Sequence, residues 1–178
     1  MKEIDENLRE KIKRVKLLIL DVDGILTDGS INYTDDGREF KSFDVKDGHG
    51  IKLLMRGGID VALITARESN VVAIRAKDLG ITDVFQGKKE KLSTFEDIVA
   101  NKGLEVESVA YIGDDLIDLP VLRRVGLSAS VSDAVSEVKE VVDYVTDKPG
   151  GRGAVRELTD MILKVQGLWQ ELTERYNK

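Results

Sequence analysis

The sequence predicts a doubly wound α/β fold, a parallel sheet flanked by helices, and three observations predict it. Short apolar runs such as Val15 to Leu20 (VKLLIL), Ile59 to Ile64 (IDVALI) and Val109 to Ile112 (VAYI) stop abruptly at acids or at Thr65. Runs of this length, almost wholly apolar, are what strands buried on both faces look like. Stretches of helical periodicity separate them, and strands alternating with helices pair in parallel through right-handed crossovers.

The elements follow in order. Glu6 to Arg14 has polar helical character, and Val15 to Leu20 reads as a central strand. Ser30 to Tyr33 and Arg38 to Val45 flank Thr34-Asp35-Asp36-Gly37, whose Asp-Gly pair signals a β-hairpin, placed at about residues 30 to 45. A helix is expected from about Gly50 to Arg56, stopped by Gly57-Gly58. After the strand ending at Ile64, Ser69 to Leu79 reads as a helix ended by Gly80. Asp83 to Phe85 is a short strand, and Lys88 to Lys102 a helix stopped by Gly103. Beyond Val109 to Ile112, Leu127 to Ala129 and Val142 to Val145 are strands, and a closing helix spans about 154 to 176.

Composition narrows the function. The 178 residues suffice for one filled core, no Pro/Gly/Ser-rich linker divides them, and a single domain over 1–178 is expected. Apolar residues at 42% and charged residues at 34% argue against disorder. No apolar run approaches a membrane span, and the N-terminus has no signal-peptide core, so no membrane partner and a cytoplasmic location are expected. The absence of cysteine excludes disulfides, thiolate metal sites and cysteine nucleophiles. With one histidine, His49, multi-histidine metal sites are excluded too, which leaves carboxylates, Lys and Arg to carry chemistry. A net charge of −6 speaks against nucleic-acid binding.

In open parallel sheets ligands bind beyond the carboxyl ends of the strands. Asp21 and Asp23 follow the first core strand, Asp114 and Asp115 follow another, and four converging carboxylates repel one another unless a cation joins them. All-oxygen ligands suit Mg²⁺. Strand-end Asp and Gly also make ordinary turns and caps, and one DxDG alone would not decide. Two acidic clusters, with Thr65 ending a third strand and Lys91 beyond a fourth, favour a site.

These segments, Asp21-Val22-Asp23-Gly24-Ile25-Leu26-Thr27-Asp28-Gly29, Thr65, Lys91 and Gly113-Asp114-Asp115-Leu116-Ile117-Asp118, resemble the four motifs of the haloacid dehalogenase superfamily of phosphatases. Together with FDVKDGHGIKLL, ITAR, FQGKKEK and GGRGAVRE, in order over residues 15 to 167, they resemble the 3-deoxy-D-manno-octulosonate 8-phosphate phosphatase family within it. The resemblance implies an aspartyl-phosphate mechanism. Asp21 would be the nucleophile and Asp23 the general acid and base. Mg²⁺ would be held by Asp21, Asp23 through its carbonyl, and Asp114, with Asp115 acting through water. Thr65 and Lys91 would hold the phosphoryl oxygens, Lys91 being chosen over Lys88 and Lys89 by its QGxxxK spacing.

For the sugar acid, the resemblance implies contacts from Asp23, Asp44, Val45, Lys46, Asp47, Gly48, Lys52 and Lys91. Arg67 is the first candidate and Arg75 the second for the substrate carboxylate. His49 has no triad pattern around it and is given no role; Arg152, within Gly150-Gly151-Arg152-Gly153, either joins an anion cradle or merely precedes a helix cap. The gaps between motifs hold no cap domain, and a neighbouring subunit is the natural cover; the resemblance implies a homotetramer in which the hairpins around Tyr33 to Phe43 pack together and line adjacent sites. Two alternatives remain: a phosphatase for another sugar-acid phosphate, such as a nine-carbon sugar acid 9-phosphate, and a receiver-like signalling module that keeps its phosphoaspartate.

Overall fold

The structure, a computed structural model, describes residues 4–176. The elements run α1 (Glu6–Arg14), β1 (Leu17–Leu20), β2 (Asn32–Tyr33), β3 (Glu39–Phe40), α2 (Val45–Arg56), β4 (Asp60–Ile64), α3 (Asn70–Leu79), β5 (Asp83–Phe85) and α4 (Lys91–Lys102). They continue with β6 (Val109–Ile112), α5 (Leu119–Leu122), β7 (Leu127–Ser130), α6 (Ser136–Lys139), β8 (Tyr144–Val145), α7 (Ala154–Val165) and α8 (Trp169–Thr173).

Six strands form one parallel sheet in the order β5-β4-β1-β6-β7-β8. Numbered by their succession within this sheet, the strands read 3-2-1-4-5-6, so the order reverses between β1 and β6, the switch point at which such sheets bind ligands. A receiver-type sheet has the order 2-1-3-4-5, so the receiver-like alternative does not match this topology.

β1 lies at the centre with Leu17, Leu18, Ile19 and Leu20 fully buried, each stabilising the fold by about 1.5–3 kcal/mol. Helices α2, α7, α1 and α3 pack together in one layer, and α4 packs with α5 in the other. Between β1 and α2 stands only the hairpin, and between β4 and β6 only α3, β5 and α4, which leaves no cap domain.

Three boundaries depart from expectation. The hairpin strands are two residues each, and the segment expected to be strand up to Val45 instead enters a helix. The cause is Asp44: its Oδ1 accepts from the N–H groups of Lys46 (2.6 Å) and Asp47 (3.3 Å), an N-cap that starts α2 at Val45, before Gly50. The helix expected over 154–176 is broken, because Gly167 adopts φ +76° after α7, and a short α8 and a 3₁₀ turn follow. α4 starts at Lys91 rather than Lys88, with Glu90 extended before it.

Asp47 ties two helices together. Its Oδ1 accepts from Arg156 N (2.7 Å) and its Oδ2 from Gly153 N (3.1 Å), satisfying free amides in the first turn of α7 from the first turn of α2. Burial pushes its carboxyl pKa upward against these bonds. Asp47→Ala is expected to destabilise the protein by about 1–3 kcal/mol, read by urea denaturation, because buried donors lose their partner. An unchanged midpoint would show the link to be idle.

Candidate active site at the sheet switch point

In register, Leu20 pairs with Leu63 on one side and Ile112 on the other, so Asp21 stands level with Ile64 and Gly113. The amide of Asp21 continues the ladder, donating to Ile112 O at 3.0 Å. Thr65, one residue past β4, is buried, and its hydroxyl accepts from Arg67 N at 3.4 Å. The ends of three adjacent strands thus deliver Asp21, Thr65 and the 113–118 loop to one edge.

The acids meet because glycines let them. A Cβ on Gly24, which has φ +85°, would lie 2.0 Å from Asp114 Oδ2, and one on Gly113 would lie 2.4 Å from Asp118 Cγ. The first loop is braced from behind. Gly151 N donates to Ile25 O at 2.9 Å, and a Cβ on Gly150 would sit 1.7 Å from Gly24 O. The GGRG segment therefore packs on the Asp21 loop, Gly153 caps α7, and exposed Arg152 reaches Asp28 at 3.5 Å.

Oxygen atoms of Asp21, Asp114 and Asp118 lie within 4.8 Å of one another. Lys91, the first residue of α4, is buried with Nζ 2.9 Å from Asp21 Oδ1 and 2.7 Å from Asp118 Oδ1. Burial disfavours its charge, but the two carboxylates outweigh that and raise its pKa. Asp118 also accepts from Tyr111 Oη (2.6 Å) and from the amides of Asp114 (3.0 Å) and Asp115 (3.2 Å).

One ammonium does not balance three carboxylates. Burial first, then Asp118, pushes Asp21 up to about 7 against the pull of Lys91, and burial with Asp21 and Asp118 pushes Asp114 up to about 7. Asp114 Oδ1 is buried without a hydrogen-bond partner. An oxygen-only donor set with an unsatisfied oxygen and surplus negative charge fits a hard divalent cation.

This fit gives a signed prediction. Without metal, Asp21 and Asp114 hold protons in the folded state that they lose in the unfolded state. Their contribution to stability therefore falls as pH rises from the ordinary carboxylate range through about 7. A cation removes that penalty, so Mg²⁺ is expected to raise Tm more at pH 8 than at pH 5. An equal rise at both would contradict it.

Beside this cluster lies a second group of charges. Asp23 pairs with Lys41 through Oδ1 and lies 3.9 Å from Arg67 Nε through Oδ2. Arg67 also donates to Glu39 Oε1 (3.2 Å) and Tyr33 Oη (3.1 Å), so the hairpin folds back onto Asp23.

Arg75 donates to Asp44 O at 3.4 Å and stacks 5.5 Å over Phe43, and a Cβ on Gly48 would lie 2.3 Å from its guanidinium. Asp44 and Val45 line a cleft of about 260 Å³ with Asp28, Phe43 and Arg152, adjoining the first loop. Val45 and Lys46 are exposed and Lys52 half-buried. Asp115 is exposed and caps a 3₁₀ turn; Asp118, three residues on, takes the buried place. His49 is apart, edge-on to Tyr176 at 5.7 Å in a cleft of about 950 Å³ bounded by Arg156 and Trp169.

Sequence reasoning left Asp118, Lys41 and Glu39 without roles. Two signals were available: Asp118 stands four residues after Asp114, and Glu39 and Lys41, two apart in extended chain, point the same way.

Residues 61–158 match the family model of haloacid dehalogenase-like hydrolases. The 3-deoxy-D-manno-octulosonate 8-phosphate phosphatase of Escherichia coli K12 is 47% identical over 161 residues, 90% of this chain and 86% of that protein. This chain is a haloacid dehalogenase-like hydrolase. Among solved structures of such hydrolases, the 3-deoxy-D-manno-octulosonate 8-phosphate phosphatase from Moraxella catarrhalis, in complex with magnesium ion, phosphate ion and KDO, superposes with a TM-score of 0.94. It is 42% identical, with 98% of this chain and 99% of that one covered. The phosphatase from Yersinia pestis superposes at 0.90 with 45% identity, covering 92% of this chain and 88% of that one.

Proposed function

We propose that this hydrolase is a Mg²⁺-dependent phosphatase that converts 3-deoxy-D-manno-octulosonate 8-phosphate to the free sugar acid and phosphate, serving lipopolysaccharide precursor synthesis. The observation that carries it is the meeting of Asp21, Asp114, Asp118 and Lys91 at the β1/β6 switch point in a chain 47% identical to an enzyme of that name.

Asp21, the Asp23 carbonyl and Asp114 would hold Mg²⁺, which would neutralise charge between the Asp21 carboxylate and the phosphate dianion. A carboxylate oxygen of Asp21 bonds to phosphorus as the bond from phosphorus to the sugar oxygen breaks, giving an aspartyl-phosphate. Asp23 gives its proton to the departing alkoxide, then takes one from the water that attacks phosphorus and frees Asp21. Lys91 and the Thr65 hydroxyl stabilise the phosphoryl oxygens. Asp118 orients Lys91, which places it, rather than Asp115, beside the metal ligands.

Arg67 and Arg75 meet the sugar carboxylate and hydroxyls, with Asp44 and Val45 in the cleft wall and Lys46, Asp47, Gly48 and Lys52 along α2, which begins at that wall. Both oxygens of Asp47 are bonded to α7 amides, so this residue serves the substrate by holding that wall. The chain works as a single domain in the cytoplasm. Exposed Ile31, Tyr33 and Phe40 on the hairpin favour a homotetramer that covers the capless site, and an active monomer in light scattering would remove it.

Purified protein with Mg²⁺ is expected to release phosphate from 3-deoxy-D-manno-octulosonate 8-phosphate with a kcat/KM well above that for hexose phosphates. A higher value for a nine-carbon sugar acid 9-phosphate would move the assignment to that substrate.

A further inference from the structure

Lys41 leaves the hairpin just after β3, and its side chain is 1% exposed. A buried ammonium costs several kcal/mol unless it is paired, so its position reflects its partners. These are Asp23 Oδ1 and Glu39 Oε1, the latter at 3.3 Å. Arg67 stands beside the group, 3.2 Å from Glu39 Oε1 and 3.9 Å from Asp23 Oδ2, too far to hydrogen-bond the latter. Two carboxyl groups and two cations thus form one cluster. The Asp23 side chain keeps 22% exposure, so it is held from the hairpin side and open on another.

We infer that Lys41 is a positioning residue for proton transfer, fixing the Asp23 carboxyl by one oxygen so that the other faces the ester oxygen of the substrate. The inference rests on the proposed role of Asp23. Removing Lys41 would take one of the two cations that hold Asp23 and Glu39, leave Arg67 drawn between them, and unfix the carboxyl that must meet the leaving group. The structural alternative is that the pair only fastens the hairpin to the sheet.

Leaving groups separate the two. A sugar alkoxide needs a proton as it departs, whereas p-nitrophenolate leaves without one. kcat/KM reports the steps through breaking of the ester bond, so the later attack of water does not enter. The ratio of two kcat/KM values on one preparation is also independent of the folded fraction. Lys41→Met is expected to lose about 10–100-fold in kcat/KM on 3-deoxy-D-manno-octulosonate 8-phosphate and less than about threefold on p-nitrophenyl phosphate. Lys41→Arg, keeping the charge, is expected to restore most of the ratio.

Equal losses on both substrates, or no loss on either, would overturn the inference. Lys41→Gln is read in the same way if the Met variant yields no folded protein. A wild-type protein inactive on the sugar ester would sink the substrate assignment alone, and phenyl phosphate, with its poorer leaving group, would then replace it in the ratio.

Discussion

Asp21→Asn is expected to abolish phosphate release, lowering kcat by roughly 10⁵-fold, the scale on which removal of a catalytic nucleophile acts. An amide oxygen at this position cannot form the acyl phosphate. The substitution also removes one carboxylate from a cluster in which burial, together with the neighbouring carboxylates, pushes Asp21 and Asp114 up to about 7. The metal-free variant is therefore expected to keep or exceed the wild-type Tm, so that inactivity cannot be assigned to unfolding. Retention of more than about 1% of kcat would be incompatible with Asp21 as nucleophile.

Lys91→Met is the second large effect, and it falls on stability and turnover together. The ammonium sits between Asp21 at 2.9 Å and Asp118 at 2.7 Å. Deleting it strands buried carboxylates, a defect of about 3–5 kcal/mol. At this chain length each kcal/mol lowers Tm by roughly 2–4 °C. Mg²⁺ is expected to recover much of the Tm, because it supplies positive charge to the same carboxylate cluster. It does not replace a donor to the phosphoryl group, so kcat is expected to remain at least about 10²-fold down. Thermal denaturation with and without Mg²⁺, beside steady-state kinetics, separates the two roles; full recovery of kcat by Mg²⁺ would make Lys91 purely structural.

Much of this arrangement was legible in the sequence because its physical causes are local. A four-residue apolar strand stopped by Asp21, or a helix stopped by Gly80 or Gly103 in the left-handed conformation, announces itself in a few residues. That Asp21 and Asp114 stand at the same edge of the sheet follows from parallel strands, while their meeting also needs β1 beside β6 and the space left by Gly24. What was not legible depends on contacts between segments distant in sequence. The family resemblance implies Asp47 as a substrate contact, and nothing near it in sequence reveals Gly153 and Arg156, more than a hundred residues away, as partners of its oxygens. Asp118 was hidden for a different reason. Four residues after Asp114 it reads as part of a turn, and only its burial with Lys91 and Tyr111 makes it part of the acid cluster. The early start of α2 lay within reach, since Asp44 three residues before Asp47 is a capping pattern.

The central claim is that Asp21 and Asp114 share one divalent cation while an Asp21 oxygen faces phosphorus. A crystal structure with Mg²⁺ and trifluoroberyllate, a mimic of the phosphoryl group, tests it most directly. The expected result is beryllium bonded to an Asp21 carboxylate oxygen, with Asp21 and Asp114 on a common Mg²⁺ and Lys91 at a fluorine. Beryllium on another residue, or Mg²⁺ bound away from Asp114, would contradict it.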